Sequence, residues 1–117
     1  MAEPPRISRE PLRPDRMRCI DGGFAFLPSR LLHHGFLEAL GTDERDLYLV
    51  LVLAGDRNGV SYYSQDRIAR ALGRPLHEIL DARNCLIRRD LLAFDGLRFQ
   101  VLQLPKDPVH IDPEPSR

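Results

Sequence analysis

Cysteine, net charge and long apolar runs are all scarce in this chain of 117 residues. Cys19 and Cys85 have no second ligand at metal-binding spacing, which excludes the common zinc motifs and favours reduced thiols over a disulfide. The longest apolar run, 47–54, is far shorter than the roughly 20 residues that span a bilayer, so we expect no membrane helix. No apolar segment typical of a secretory signal follows Met1, so a cytoplasmic protein is expected.

The net charge is zero, because 17 basic residues balance 17 acidic ones. Proteins that bind duplex nucleic acid usually carry a positive surface, so this balance is the main observation against such a partner. The distribution is uneven, since residues 1–19 hold five arginines against three acids and residues 20–105 hold ten arginines against 11 acids. Any DNA-facing surface must therefore arise from the arrangement of charges in the domain together with the N-terminal segment.

Prolines are concentrated at both ends of the chain. They are Pro4, Pro5, Pro11 and Pro14 in front, and Pro105, Pro108, Pro113 and Pro115 behind. Proline cannot continue a helix and lacks a backbone donor, so these ends are predicted to be disordered. The expected organisation is a basic arm over 1–19, one folded domain over 20–105 and a tail over 106–117.

The first half of the domain contains two strong helix signals. Residues 24–27 are predicted to form a short strand closed by Pro28, followed by a helical stretch over 29–40 that Gly35 interrupts. Thr42 is expected to cap a second helix that runs to about residue 56. The interior of this helix is apolar on every side, which predicts that it is fully surrounded. An edge strand is expected over 60–63.

The second half reads as two helices joined by a tight turn, then a hairpin. Ser64 is expected to cap a helix that Gly73 ends, and Pro75 is expected at the first position of the next helix, whose pattern ends in the segment 86–92. Asp95 and Gly96 are typical of the turn of a two-stranded hairpin. The pattern as a whole predicts a mainly α domain with a small β element.

A helical wheel divides the second of these helices into two faces. At about 100° per residue, the apolar residues near Ile79 share one side, which predicts the core face; they are Leu76, Leu80, Leu86 and Ile87. Arg83 falls among them and is expected to pair with a carboxylate, either Glu44, Asp46 or Asp90, because an unpaired charge there would be costly.

The opposite face of the same helix carries polar side chains that both donate and accept hydrogen bonds. They are His77, Asp81, Asn84 and Arg88, with Arg74 just before the helix. Arginine pairs with guanine, asparagine with adenine and aspartate with cytosine in the major groove, so the face has chemistry suited to base readout. A solvated helix face of mixed charge would have the same composition.

Three further residues are candidates for contacts with the phosphate backbone. Ser64 and Gln65 lie at the positive end of a helix dipole, where a phosphate can bind, although helix capping alone would also explain Ser64. Arg98 follows the Asp95-Gly96 turn and could reach a phosphate or the minor groove.

Residues 42–104 resemble a winged helix-turn-helix domain. The resemblance rests on the segment 64–73 and on Leu86-x-x-x-Asp90-Leu91-Leu92, and it extends to regulators of the MarR type and to the winged domains of plasmid replication initiators. In those proteins a glycine usually stands where this chain has Asp90. The resemblance implies that the helix that starts at Pro75 and ends before Asp90 is a recognition helix, that the partner is double-stranded DNA, and that the protein regulates transcription. A homodimer is expected, because one short helix reads few base pairs.

Two other functions fit the same pattern. The neutral charge and the acids Glu78 and Asp81 would suit a winged helix that binds another protein, and an accessory role in replication or in a mobile element is also open. No catalytic motif appears, and the adjacent His33 and His34 would diverge by about 100° on a helix, so they cannot share a metal. We therefore expect no enzymatic activity, no cofactor and no metal site.

Overall fold

The computed structural model describes residues 9–111, which contain five α-helices and three strands. In chain order they are α1 (Arg30–His33), α2 (Phe36–Ala39), α3 (Thr42–Ala54), β1 (Val60–Ser61), α4 (Gln65–Leu72), α5 (Leu76–Arg88), β2 (Leu92–Phe94) and β3 (Phe99–Val101). A 3-10 turn at Pro14–Arg16 precedes them. The described chain is thus mainly helical with a small antiparallel sheet, which confirms the predicted class at that level. The outer parts of the predicted arm and tail, 1–8 and 112–117, lie outside the described residues.

The predicted strand over 24–27 is wrong. The segment pairs with none of the three described strands, and 64% of Phe24 and 81% of Phe26 is exposed. Their rings pack edge to face, with the ring centroids 5.4 Å apart. The apolar pattern suits a strand, but a strand also needs a neighbour for its backbone hydrogen bonds. The interruption of the following helix at Gly35 is confirmed, since this residue has a φ of 82° between α1 and α2.

Helix α3 begins one residue earlier than its predicted cap implies. Gly41 stands at the cap, and its N–H donates to Oε2 of Glu44 at 2.8 Å. The prediction that α3 is fully surrounded is wrong, because 45% of Leu49 and 65% of Leu53 is exposed. Helix α5, the sheet and α4 pack against α3, and its outer side stays uncovered.

A tight turn joins α4 to α5. The Ser64 hydroxyl accepts a hydrogen bond from the Arg67 N–H at 3.2 Å, which confirms the predicted cap of α4. Gly73 ends α4 in the left-handed region with a φ of 65°. Pro75 occupies the N-cap of α5 and lies one residue before its predicted position.

Asp90 ends α5 in a left-handed conformation with a φ of 61°. The Asp90 N–H donates to the Ile87 carbonyl at 3.0 Å, and the Leu91 N–H donates to the Leu86 carbonyl at 3.1 Å. These two bonds define a Schellman motif, and the buried side chains of Leu86 and Leu91 complete it.

The sheet has the strand order β1-β3-β2, and both pairings are antiparallel. Val60 and Ser61 form the predicted edge strand, shorter than expected. Phe94 on β2 pairs with Phe99 on β3, and their rings stack with centroids 4.3 Å apart. The core lies between the sheet and the helices; its largest fully buried side chains are Phe36, Leu47, Leu51, Ile68, Ile79, Leu86, Leu91 and Phe99.

Candidate nucleic-acid interface

Helix α5 exposes the polar face that the sequence predicts. His77, Asp81, Asn84 and Arg88 are all exposed, whereas Ile79, Ala82 and Leu86 are buried. The predicted core face is wrong at its edge, because 40% of Leu76 and 39% of Ile87 is exposed. Helices α3 and α4 and strand β2 cover α5. The buried stripe is therefore rotated towards Ala82, away from Leu76 and Ile87.

Arg74 is separated from this face and held against α3. Its Nη1 lies 2.5 Å from Asp43 Oδ1 and 3.2 Å from Glu78 Oε2, and its Nη2 lies 2.7 Å from Asp46 Oδ2. Its hydrogen bond with Asp46, together with Glu78 and Asp43, raises the pKa of Arg74 above the ordinary arginine value. Because its donors bond to three carboxylates, the Arg74 guanidinium links α3 to α5.

The carboxylate partner predicted for Arg83 is wrong. Arg83 takes part in no ion pair with any described residue, and Glu44 pairs with Arg89 instead. The Arg83 Nη1 donates to Gln65 Oε1 at 2.5 Å, and its Nε and Nη2 donate to Asn84 Oδ1 at 3.1 and 3.0 Å. The guanidinium also lies 5.1 Å from the centre of the Phe94 ring. The side of α5 that carries Arg83 faces α4 and β2, away from the acids of α3.

These contacts bring together two predicted site residues, Gln65 and Asn84, from different helices. The Asn84 oxygen accepts both Arg83 donors, which leaves only the amide N–H groups of Asn84 for a ligand. A bidentate contact with adenine needs the oxygen as well. In this arrangement Asn84 can donate to a base edge or a phosphate but cannot make the predicted paired contact.

Arg98 lies beside the β2–β3 turn, as predicted, and pairs with Asp95 across 2.9 Å. The Asp95 Oδ1 accepts hydrogen bonds from the backbone N–H groups of Arg98 at 2.6 Å and Leu97 at 2.9 Å. These backbone bonds and the Arg98 side chain lower the pKa of Asp95 to about 2. Just over half of the Arg98 side chain remains exposed, so its outer edge is accessible to a ligand.

Ion pairing leaves the charges of the domain unevenly distributed. Four acids, Asp43, Glu44, Asp46 and Glu78, pair with Arg74 and Arg89 where α3 meets α5. Four arginines of α4 and α5 form no ion pair with a described residue; they are Arg67, Arg70, Arg83 and Arg88. The exposed acids on the same two helices are Asp66 and Asp81. A neutral chain thereby gains a locally positive surface.

Two residues of this surface were not among the predicted contacts. Arg67 lies with its guanidinium 4.0 Å from the centre of the Tyr63 ring, at the start of α4. Arg83 appeared structural because the wheel placed it among apolar residues. Arg67 could have been found from the sequence, because it and Arg70 are spaced to share the exposed side of α4. Nothing in the local sequence indicates the neutral partners of Arg83.

No helix within 9–111 combines the length and apolar character needed to cross a membrane. No protein-family model, curated protein or solved structure matches the chain.

Proposed function

We propose that this protein is a cytoplasmic winged helix-turn-helix regulator of transcription that binds double-stranded DNA. Helices α4 and α5 and the turn at Gly73 would form the helix-turn-helix, and the β2–β3 hairpin would form the wing. Helix α5 would enter the major groove.

The observation that carries the proposal is the position of the polar face of α5. Arg83, at one edge of that face, contacts both Gln65 at the N-terminus of α4 and Phe94 on β2. This edge of the face is thus bordered by a helix N-terminus, which favours phosphate, and by the β2–β3 hairpin, whose turn carries Arg98. Both flanking elements would meet the backbone while α5 meets base edges.

The proposed contacts fall into two groups. His77 and Asp81 lie towards the N-terminal half of α5 and would contact base edges, together with the free N–H groups of Asn84. Ser64, Gln65, Arg88 and Arg98 would contact phosphates. The three carboxylates around Arg74 argue against a DNA contact by that residue.

The test is a binding titration of the purified protein with duplex DNA. A set of random duplexes is first selected for binding, and affinity for a selected site is then measured against a scrambled site at several salt concentrations. We expect a preference for the selected site and an affinity that falls steeply with salt, because phosphate contacts release counterions. Absence of duplex binding at about 50 mM salt, where such contacts are strong, would contradict the proposal.

An apolar surface supports the second candidate function, protein binding through the same fold. Leu49 and Leu53 on α3 and the Phe24 and Phe26 pair are largely exposed. Because α3 packs on the buried side of α5, its outer side faces away from the proposed DNA surface. We propose that two copies pair through this side, which would leave both α5 faces free for two half-sites.

Sedimentation of the wild type and of Leu49→Ser/Leu53→Ser tests the pairing. A dimer that the double substitution converts to a monomer is expected. A stable dimer without any duplex binding would favour the protein-interaction function over DNA binding. An accessory role in replication or in a mobile element would use the same DNA contacts and differ only in the site selected.

A further inference from the structure

We propose that Arg83 holds a backbone phosphate of the bound duplex, with Gln65 and Asn84 as the residues that position it. This inference rests on the proposed DNA-binding function and adds to it a contact that the wheel had assigned to the core. It also changes the role of Asn84 from a reader of bases to a support for the arginine.

The first argument is charge. Arg83 is only partly exposed, and its described polar partners are two neutral amide oxygens and an aromatic ring. A partly buried cation among neutral groups lacks the counter-charge that usually offsets its desolvation. The other partly buried arginines near α5, Arg74 and Arg89, both have carboxylates. Arg83 can therefore bind an anion, whereas Arg74 and Arg89 already have carboxylates as counter-charges.

The second argument is the number of donors. A guanidinium has five N–H groups, and the three bonds to Gln65 and Asn84 leave one N–H on each terminal nitrogen of Arg83. The two amide oxygens fix the plane and direction of the group before a ligand arrives. An arginine held in this way loses little side-chain entropy on binding, and its planar fork matches two oxygens of a phosphate.

The third argument is location, which favours a phosphate over a base. Arg83 lies on the edge of α5 that faces α4 and β2, and not at the centre of the exposed face. The first turn of α4 has backbone N–H groups without partners within the helix, of which Ser64 satisfies one, at Arg67. These groups and the positive end of the α4 dipole add to the Arg83 charge and favour an anion at the same place.

The experiment compares four variants with the wild type on a selected and a scrambled duplex. Arg83→Gln removes the charge. Arg83→Lys keeps the charge but lacks the planar set of N–H donors of a guanidinium. Gln65→Glu supplies the missing carboxylate in nearly the same shape, and the Arg83→Gln/Gln65→Glu double variant completes a mutant cycle. Arg57→Gln is the control for loss of one charge, because Arg57 is exposed, forms no described ion pair, and lies in the turn between α3 and β1.

We expect Arg83→Gln to lower affinity for both duplexes by about tenfold, the loss of one charged hydrogen-bonding contact, and to reduce the salt slope by about one. Arg83→Lys should recover part of the affinity and the whole salt slope. Gln65→Glu should reduce affinity at least as much as Arg83→Gln, and its effect should be smaller once Arg83 is replaced, because only its own repulsion of the phosphate then remains. Melting followed by circular dichroism should show each variant folded, and Gln65→Glu no less stable than the wild type, because a carboxylate suits a helix N-terminus.

The outcomes separate this inference from the function on which it rests. If the wild type binds duplex DNA and Arg83→Gln matches Arg57→Gln, the phosphate assignment is overturned while DNA binding stands. A loss confined to the selected duplex would mean that Arg83 reads a base, which also overturns it. If Arg83→Gln fails to fold, Arg83→Lys and Gln65→Glu decide the question, and unchanged affinity in both rejects the inference. A wild type that binds no duplex removes the proposed function itself.

Discussion

Arg89 at the end of α5 donates through Nε to Glu44 Oε1 across 2.7 Å. Only 16% and 11% of these two side chains is exposed. The other Glu44 oxygen accepts the Gly41 N–H at 2.8 Å, so one carboxylate both caps α3 and fixes the end of α5. This contact ties the C-terminal end of α5 to the first turn of α3.

The first prediction concerns this ion pair. Glu44→Ala should lower the free energy of unfolding by about 3 kcal/mol, because it leaves a mostly buried arginine without its counter-charge. Urea denaturation measures the loss. Glu38→Ala, an exposed change on α2, should stay within about 0.5 kcal/mol of the wild type. Equal stability of the two variants would show that Arg89 finds another partner.

The second prediction compares two glycines with positive φ. A Cβ at Gly59, where φ is 79°, would lie 2.7 Å from the Val101 carbonyl oxygen, whereas at Gly96, where φ is 97°, it would meet nothing within 4 Å. Gly96→Ala should cost about 1 kcal/mol through its backbone conformation alone. Gly59→Ala should cost about 3 kcal/mol, since a steric clash with the β3 backbone is added. Denaturant midpoints of both variants check the difference, and similar midpoints would contradict it.

The third prediction separates the structural role of Arg74 from base readout. Arg74→Ala leaves Asp43, Asp46 and Glu78 close together without their shared cation. Stability should fall only modestly, because these groups are partly exposed and solvent screens their attraction. Added salt should recover part of the loss by screening carboxylate repulsion. The preference between a selected and a scrambled duplex should not change. A relaxed preference at one base pair would show that Arg74 reads a base, as the sequence predicted.

The fourth prediction addresses the exposed face of α5. Arg88 is exposed near the C-terminal end of this helix, where the chain leaves the groove. Arg88→Ala should therefore weaken binding to all duplexes alike and lower the salt slope by about one, with the fold intact. Arg57→Ala serves as the control with the same loss of charge. If Arg88→Ala and Arg57→Ala have the same salt slope as the wild type, α5 does not contact the backbone at Arg88.

The fifth prediction is the pH dependence of the β2–β3 turn. The pKa of Asp95 is about 2 in the folded chain, below the ordinary value of 3.8, because backbone N–H groups and Arg98 favour the charged carboxylate. A lowered pKa means that the stabilisation is fully present above pH 4 or so and is lost as the pH falls towards about 2. The amide signals of Leu97 and Arg98 in NMR spectra should shift with that midpoint. Asp95→Asn should abolish the shift, and a midpoint near 4 would show that the carboxylate is not held.

Capping and turn residues located most of the elements from sequence. Ser64, Gly73 and the Asp95-Gly96 turn fix local backbone geometry through bonds within a few residues, so the bounds of α4 and the hairpin agreed with expectation. Asp90 acts in a similar way, since its φ of 61° is the left-handed conformation that glycine usually adopts after the end of a helix. These signals act over one helical turn and depend little on the rest of the fold.

Long-range contacts decided what the sequence could not. Asp43 and Asp46 lie 31 and 28 positions from Arg74, and Gln65 lies 18 positions from Arg83, so no local pattern pairs them. A wheel places a side chain on a face of its own helix but does not say which neighbour covers that face. The sequence by itself determined the main helices, the cap of α4 and the polar composition of α5. The tertiary structure decided which arginines meet carboxylates and which meet neutral amides, because opposite charges and hydrogen-bonding groups find their partners only once the helices have packed.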